Sequence, residues 1–263
     1  MKTSFLLVSS LLALGRFAIG CGDSNTIIHV HGDGGTAELD GGTAADSGGQ
    51  TDDGGPVADA GPPPDAGPPW NGGPLTCTTP GTYTNNYGGC GSERWLVKTG
   101  SDSQAGSIAL TPTATTITLL SALNGGKPYS NPPSSGRIAP TETKLVFLRD
   151  VTIVLARLES DSDYHLGIQD PTFHTMIAEI PYPGGNGKCL DPGNPWACLM
   201  SRARAAADLT LMPTASGRNP SAIATIVGVP FYDFPHGQTD EAPNGIELHP
   251  VLAICFGKGC TPM

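Results

Sequence analysis

Residues 22–76 constrain this chain most, because they cannot build a core and so confine folding to the residues after them. The stretch is made almost wholly of Gly, Pro, Ala, Asp, Ser and Thr. Its scattered large apolar side chains are Ile27, Ile28, Val30, Leu39, Val57, Trp70 and Leu75. Such a segment buries too little apolar surface to offset the entropy of ordering, which predicts a disordered tether. Asp59-Ala60-Gly61 recurs as Asp65-Ala66-Gly67, with prolines between them. Proline pieces extend such a tether and glycine pieces keep it supple. The pair His29 and His31 within it reads as incidental.

Charge obeys the same division. Residues 22–76 carry eight Asp, one Glu and no Lys or Arg, whereas residues 77–263 hold 12 basic and 15 acidic side chains. The net charge of −10 is therefore mostly the tether's, and the remainder is near neutral at −3. A nucleic-acid module of the usual electrostatic kind carries a basic surplus, and residues 77–263 carry none.

Ahead of the tether, residues 5–15 form an apolar run of signal-peptide length, too short to span a bilayer. Ala18-Ile19-Gly20-Cys21 then resembles the lipobox of bacterial lipoproteins, although Ala18 stands where Leu is usual and Arg16 interrupts the apolar run. The resemblance implies that Cys21 becomes the acylated N-terminus and ties the chain to a lipid bilayer. Gly22 after it, in place of Asp, favours the outer membrane, with plain secretion as the alternative. In composition the tether also resembles the stalks of myxobacterial lipoproteins. The predicted organisation is a signal peptide over 1–20, a tether over 21–76 and one disulfide-bearing β domain over 77–263.

Setting Cys21 aside leaves six cysteines, an even number suited to an oxidising compartment. Proximity pairs them as Cys77–Cys90, Cys189–Cys198 and Cys255–Cys260. No CxxC is present to suggest a metal knuckle.

Strand patterns dominate after Glu93-Arg94-Trp95, where the domain proper opens. Candidates are 106–110, 115–123, a long run over 144–158 broken at Arg149-Asp150, then 164–169, 175–180, 222–229 and 246–256. The period changes to helical over 195–211, where Trp196, Leu199, Met200, Ala203, Ala207 and Leu211 recur before Pro213. A long first strand and one helix between the third and fourth strands match the OB-fold, a five-stranded Greek-key barrel. The predicted class is mainly β: an OB-fold-like barrel with one α-helix and an N-terminal β extension over 115–123. A β-sandwich with an inserted helix is the runner-up.

Three strings carry chemistry. In Asp161-Ser162-Asp163-Tyr164-His165, alternation puts Asp161, Asp163 and His165 on one face. In Ile246-Glu247-Leu248-His249, Ile246 and Leu248 face the core while Glu247 and His249 point away together. His236 comes just past a strand end in Asp233-Phe234-Pro235-His236-Gly237-Gln238. Imidazoles with carboxylates are the ligand set of Zn²⁺ or Mn²⁺ and also serve acid–base hydrolysis. A divalent metal is thus a candidate cofactor, and Asp163, His165, His236, Glu247 and His249 are the candidate site. Glu179 and Arg94 read as surface or salt-bridge residues. No HExxH, GxSxG, P-loop or Rossmann glycine pattern is present.

Glu93-Arg94-Trp95-Leu96-Val97-Lys98-Thr99, Asp163-Tyr164-His165-Leu166, His236-Gly237-Gln238 and Asn244-Gly245-Ile246-Glu247-Leu248-His249-Pro250-Val251-Leu252 together resemble a group of exported bacterial proteins. The resemblance spans residues 93–256 and implies no activity. The leading expectation is an envelope lipoprotein whose OB-like domain binds an envelope or extracellular ligand, such as a saccharide, peptide or nucleotide. A metal-assisted phosphodiesterase or nuclease is the alternative, which requires His165, His236 and His249 to converge. A purely structural envelope protein is the third.

Overall fold

A computed structural model describes residues 68–83, 89–184, 189–190 and 193–263. The predicted signal peptide, Cys21, the His29/His31 pair and most of the tether lie outside the described residues. Among the described residues, no helix is long and apolar enough to cross a membrane.

Five long strands form a closed barrel: β2 (Val146–Leu158), β3 (Tyr164–Gln169), β4 (Thr175–Ile180), β5 (Ala222–Tyr232) and β6 (Ile246–Phe256). They run in the order β2-β3-β4-β6-β5, and β5 returns to pair with β2. The β4–β6 pairing is parallel and the other barrel pairings are antiparallel. This is OB topology, as the order of strand and helix patterns predicts. β2 borders two strands at once because it bends. Its register slips between Leu148 and Val151, where Asp150 takes a left-handed φ of 54°. That is the Arg149-Asp150 interruption visible in the sequence.

Leu166, Ile168, Met176, Ala178, Ile226, Leu248 and their neighbours fill the barrel. α3 (Ala197–Thr210) sends Ala203 and Ala207 into the same core, at the end where Tyr164 and Ile180 lie. α2 (Ile117–Ala122) adds Ile117 and Leu120 near the other end of the β3–β4 hairpin, with Asn244 donating to the Leu120 carbonyl. A second core outside the barrel packs Trp196, Leu199 and Met200 against Phe147, Val227, Val229 and Leu252.

Three expectations about the chain ahead of β2 need correction. Residues 115–123 are not a strand. The extension is the two-residue β1 (Thr113–Ala114), parallel to β2, with α2 next in the chain. Thr116 caps that helix by accepting from the Leu119 amide, and Ile117 and Leu120 share its buried side at helical spacing, so capping and burial outweigh β propensity. Residues 106–110 form no strand either, since Ala105–Ser107 is a 3₁₀ turn. The tether also ends earlier than Cys77: Leu75 is buried, its amide bonded to Leu110, and Trp70 packs on Phe147.

The disulfides are Cys77–Cys198, Cys90–Cys189 and Cys255–Cys260. The third agrees with the proximity pairing, and the first two overturn Cys77–Cys90 and Cys189–Cys198. The N-terminal segment runs beside the α3 region, so each of its cysteines meets one far along the chain. Gly81 bonding Ser201 and Trp95 bonding the Cys189 carbonyl mark the same seam.

Candidate functional site

Strand register assembles the site. His165 on β3 lies opposite Glu179 on β4, and Ala178 lies beside Leu248 on β6, which brings Glu179 next to His249. Leu166, Ala178 and Leu248 point into the barrel, so alternation sends His165, Glu179, Glu247 and His249 outward as one row. That row is nonetheless buried. The segment tied down by Cys90–Cys189 leads into α1 (Trp95–Thr99), which packs against β6.

Glu179 sits at the centre. Its Oε1 is 3.0 Å from His165 Nδ1 and its Oε2 is 3.0 Å from His249 Nδ1. His249 Nδ1 also meets Glu247 Oε1 at 3.2 Å, with hydrogen-bond geometry. On the far side of that ring, Nε2 faces Asp163 Oδ2 at 3.5 Å, too long for a hydrogen bond. The other Asp163 oxygen accepts from the Tyr182 amide. Ser162, with a left-handed φ of 78°, turns the chain between Asp161 and Asp163. Glu159 approaches His165 at 3.6 Å. Lys98, on α1, holds Asp233 at 2.8 Å.

Crowded carboxylates set the protonation. Burial, with Glu179 nearby, pushes Glu247 up to about 7. Burial likewise lifts Asp163 to about 6 against the pull of His249. Glu159 rises through burial and the Glu179 charge. Burial alone would lower both imidazoles. The surrounding carboxylates outweigh it and hold His165 above its usual range and His249 well above it. Burial would raise Glu179, yet its contacts with His165 and His249 keep it well below the carboxylate range. Lys98 is held high by Glu247, Glu179 and Asp233 despite the opposing effect of burial.

Of the five candidate residues read from the sequence, Asp163, His165, Glu247 and His249 converge. His236 does not join them. Its side chain is 41 % exposed and its Nε2 lies 3.4 Å from Glu93 and 4.0 Å from Asp233. Asp161 and Asp163 also part company, because the chain turns at Ser162 before β3 begins. Glu179, a surface or salt-bridge residue by its sequence context, does form ion pairs, with His165 and His249, but is buried at their hub rather than on the surface. Lys98, Glu159 and Asp233 join it without any local pattern to announce them. One signal for Glu179 is present: it is the lone charged residue in Thr175–Ile180. Arg94 is structural, pairing with both oxygens of Glu142 at 2.7 and 2.8 Å.

Beside the row lies a cleft of about 310 Å³, lined by Glu93, Trp95, Lys98, Ser160 and Asp161 among others. The loop 233–245 borders the same outer surface, with the Asp240 carboxylate resting where a Cβ on Gly167 would stand. No protein-family model matches the chain, and no curated protein matches it either.

Proposed function

We propose that this chain is an exported envelope lipoprotein whose barrel holds a polar ligand on the outer surface of β3 and β4. OB barrels take oligosaccharides and oligonucleotides on the face of their second and third strands, between the loops after the first and fourth. Here those strands are β3 and β4, and the loops are 159–163 and 233–245. One observation carries the reading: the row of buried charge and its neighbouring cleft lie on that face. Glu93, Asp161 and Ser160 make the cleft wall acidic and hydroxyl-bearing, and Lys98 is already paired with Asp233. Such a wall suits a saccharide or a cationic peptide better than a phosphate. The six cysteines of residues 77–263 pair among themselves, in keeping with acylation of Cys21.

The test is a glycan and peptide array probed with the full exported chain, beside Asp161→Ala and Glu93→Ala. Specific binding lost in both variants is expected. Binding that neither variant alters, or none at all, removes the face from consideration. Mass spectrometry of the mature N-terminus should find acylated Cys21, and an unmodified N-terminus elsewhere would rule out the anchor.

A second reading, metal-assisted phosphodiester hydrolysis, is favoured by the meeting of two imidazoles on Glu179. Turnover of bis(p-nitrophenyl) phosphate with added Zn²⁺ or Mn²⁺, abolished in His249→Gln, would support it. Absence of turnover with either metal would sink it.

A further inference from the structure

We propose that Asp163, Glu179 and His249 form a divalent-cation site of the Zn²⁺ or Mn²⁺ kind, with His249 ligating through Nε2. Each of the three offers one ligand atom, and these atoms lie within 4.8 Å of one another. Two atoms of the group are orphaned. His249 Nε2 and Asp163 Oδ2 are buried and have no hydrogen-bond partner among the described residues. Their side chains are 1 % and 0 % exposed, so water does not serve them from the surface. Leaving such groups unsatisfied is costly, and more so when they are charged.

Their spacing fits a shared ion better than a shared proton. An N–H···O bond closes to about 2.7–3.2 Å, whereas these atoms stand 3.5 Å apart. Two ligands at about 2.0–2.1 Å from one tetrahedral zinc are separated by roughly 3.3 Å.

The surrounding contacts have the form of an outer shell. A ligating histidine donates its other ring N–H to a carboxylate, which fixes the tautomer. Here Nδ1 meets Glu247 Oε1 at 3.2 Å with Glu179 Oε2 3.0 Å away, and in the tautomer that keeps its proton on Nδ1 the Nε2 lone pair is left for the ion. His165 bonds Glu179 Oε1 at 3.0 Å and orients that carboxylate in turn. Charge points the same way. Asp163, Glu159, Glu179, Glu247 and Asp233 crowd around one ammonium and two imidazoles, so the pocket lacks positive charge. Two carboxylates and one imidazole suit zinc or manganese and leave coordination positions open. The site stands apart from the ligand reading, because an ion here ties loop 159–163 to β4 and β6 whatever the cleft holds.

Full chain stripped with chelator and titrated with Zn²⁺ or Mn²⁺ by calorimetry is expected to bind one ion tightly. The background is His29→Ala/His31→Ala/His174→Ala/His236→Ala, which removes the four imidazoles outside the row. Asp163→Asn and His249→Gln should each weaken binding by about a hundredfold or more, and Glu247→Gln by about 10–100-fold as an outer-shell change. Circular dichroism confirms folding. Should the variants misfold, crystals of the unaltered chain soaked in zinc decide the matter. An anomalous peak between His249 and Asp163 is expected. A peak elsewhere, no peak, or unchanged affinity in folded variants overturns the site. Binding without phosphodiester turnover upholds it while removing the hydrolase reading.

Discussion

Two buried charged regions of this molecule differ in how completely their charges are matched. Around Arg94 the matching is full. Its guanidinium meets both Glu142 oxygens and the Tyr232, Pro133 and Gly136 carbonyls, while Glu142 also accepts from the Ile138 and Tyr232 amides. Arg137 repeats the pattern with Asp102 and the Val97 and Glu142 carbonyls. Around Glu179 the matching is incomplete, with carboxylates in excess and two atoms orphaned. The first region fastens the N-terminal segment to the barrel. The second leaves buried polar atoms unmatched, which a fastener does not.

That contrast can be broken most forcefully at Arg94. Arg94→Ala strands the Glu142 carboxylate and should cost about 3–5 kcal/mol, seen as a roughly 10 °C fall in melting temperature. A loss below about 1 kcal/mol in denaturant titration would mean that the pair is no fastener. Removing the covalent fastener, by Cys90→Ser with Cys189→Ser, should cost about 2–5 kcal/mol because a 99-residue separation is freed. It should also expose the Glu179 row to solvent, read as faster amide exchange over β4 and β6.

In the other region the sign reverses. For the metal-free chain at pH 8, Glu247 ionises near 7 when folded and near 4.5 when unfolded, so folding is penalised by its charge. Glu247→Gln should therefore stabilise the metal-free chain by about 1 kcal/mol. Destabilisation in the same denaturant assay would remove the asserted excess of negative charge. Stability should respond to pH accordingly. Glu247, Asp163, His165 and His249 all hold their protons more tightly folded than unfolded. Their contribution is present at low pH and is lost as pH rises through the folded values, from about 6 for Asp163 and about 7 for Glu247 upward. Glu179, depressed, acts oppositely: its contribution is present above its unfolded value and is lost as pH falls toward its folded one. Melting temperature in chelator should drop between about pH 5 and pH 8, and a rise would contradict the pattern. The smallest effect belongs to His236→Ala, expected within about 0.5 kcal/mol of the parent because the ring is 41 % exposed.

Much of this is legible locally. Alternation in Ile246-Glu247-Leu248-His249 separates core from outer face correctly, and the β2 bend is visible at Arg149-Asp150. The helix period over Ala197–Thr210 stands out from its strand-rich surroundings. Glu179 is not legible as a hub, because one charge in an apolar strand says nothing of what lies across the sheet. Lys98 and Glu142 are hidden for the same reason, their partners being far along the chain. His236 misleads because a histidine beside a strand end has the composition of a site residue, whether or not it reaches one.

By itself the sequence determined the periodicities and the even number of cysteines in residues 77–263. Those properties are set by composition and by side chains a few residues apart. Only the tertiary structure decided the partners. It paired Cys77 with Cys198 and Cys90 with Cys189, and it laid His165, Glu179 and His249 in one row. The row depends on the parallel β4–β6 pairing, a contact between segments some seventy residues apart whose register no local pattern carries.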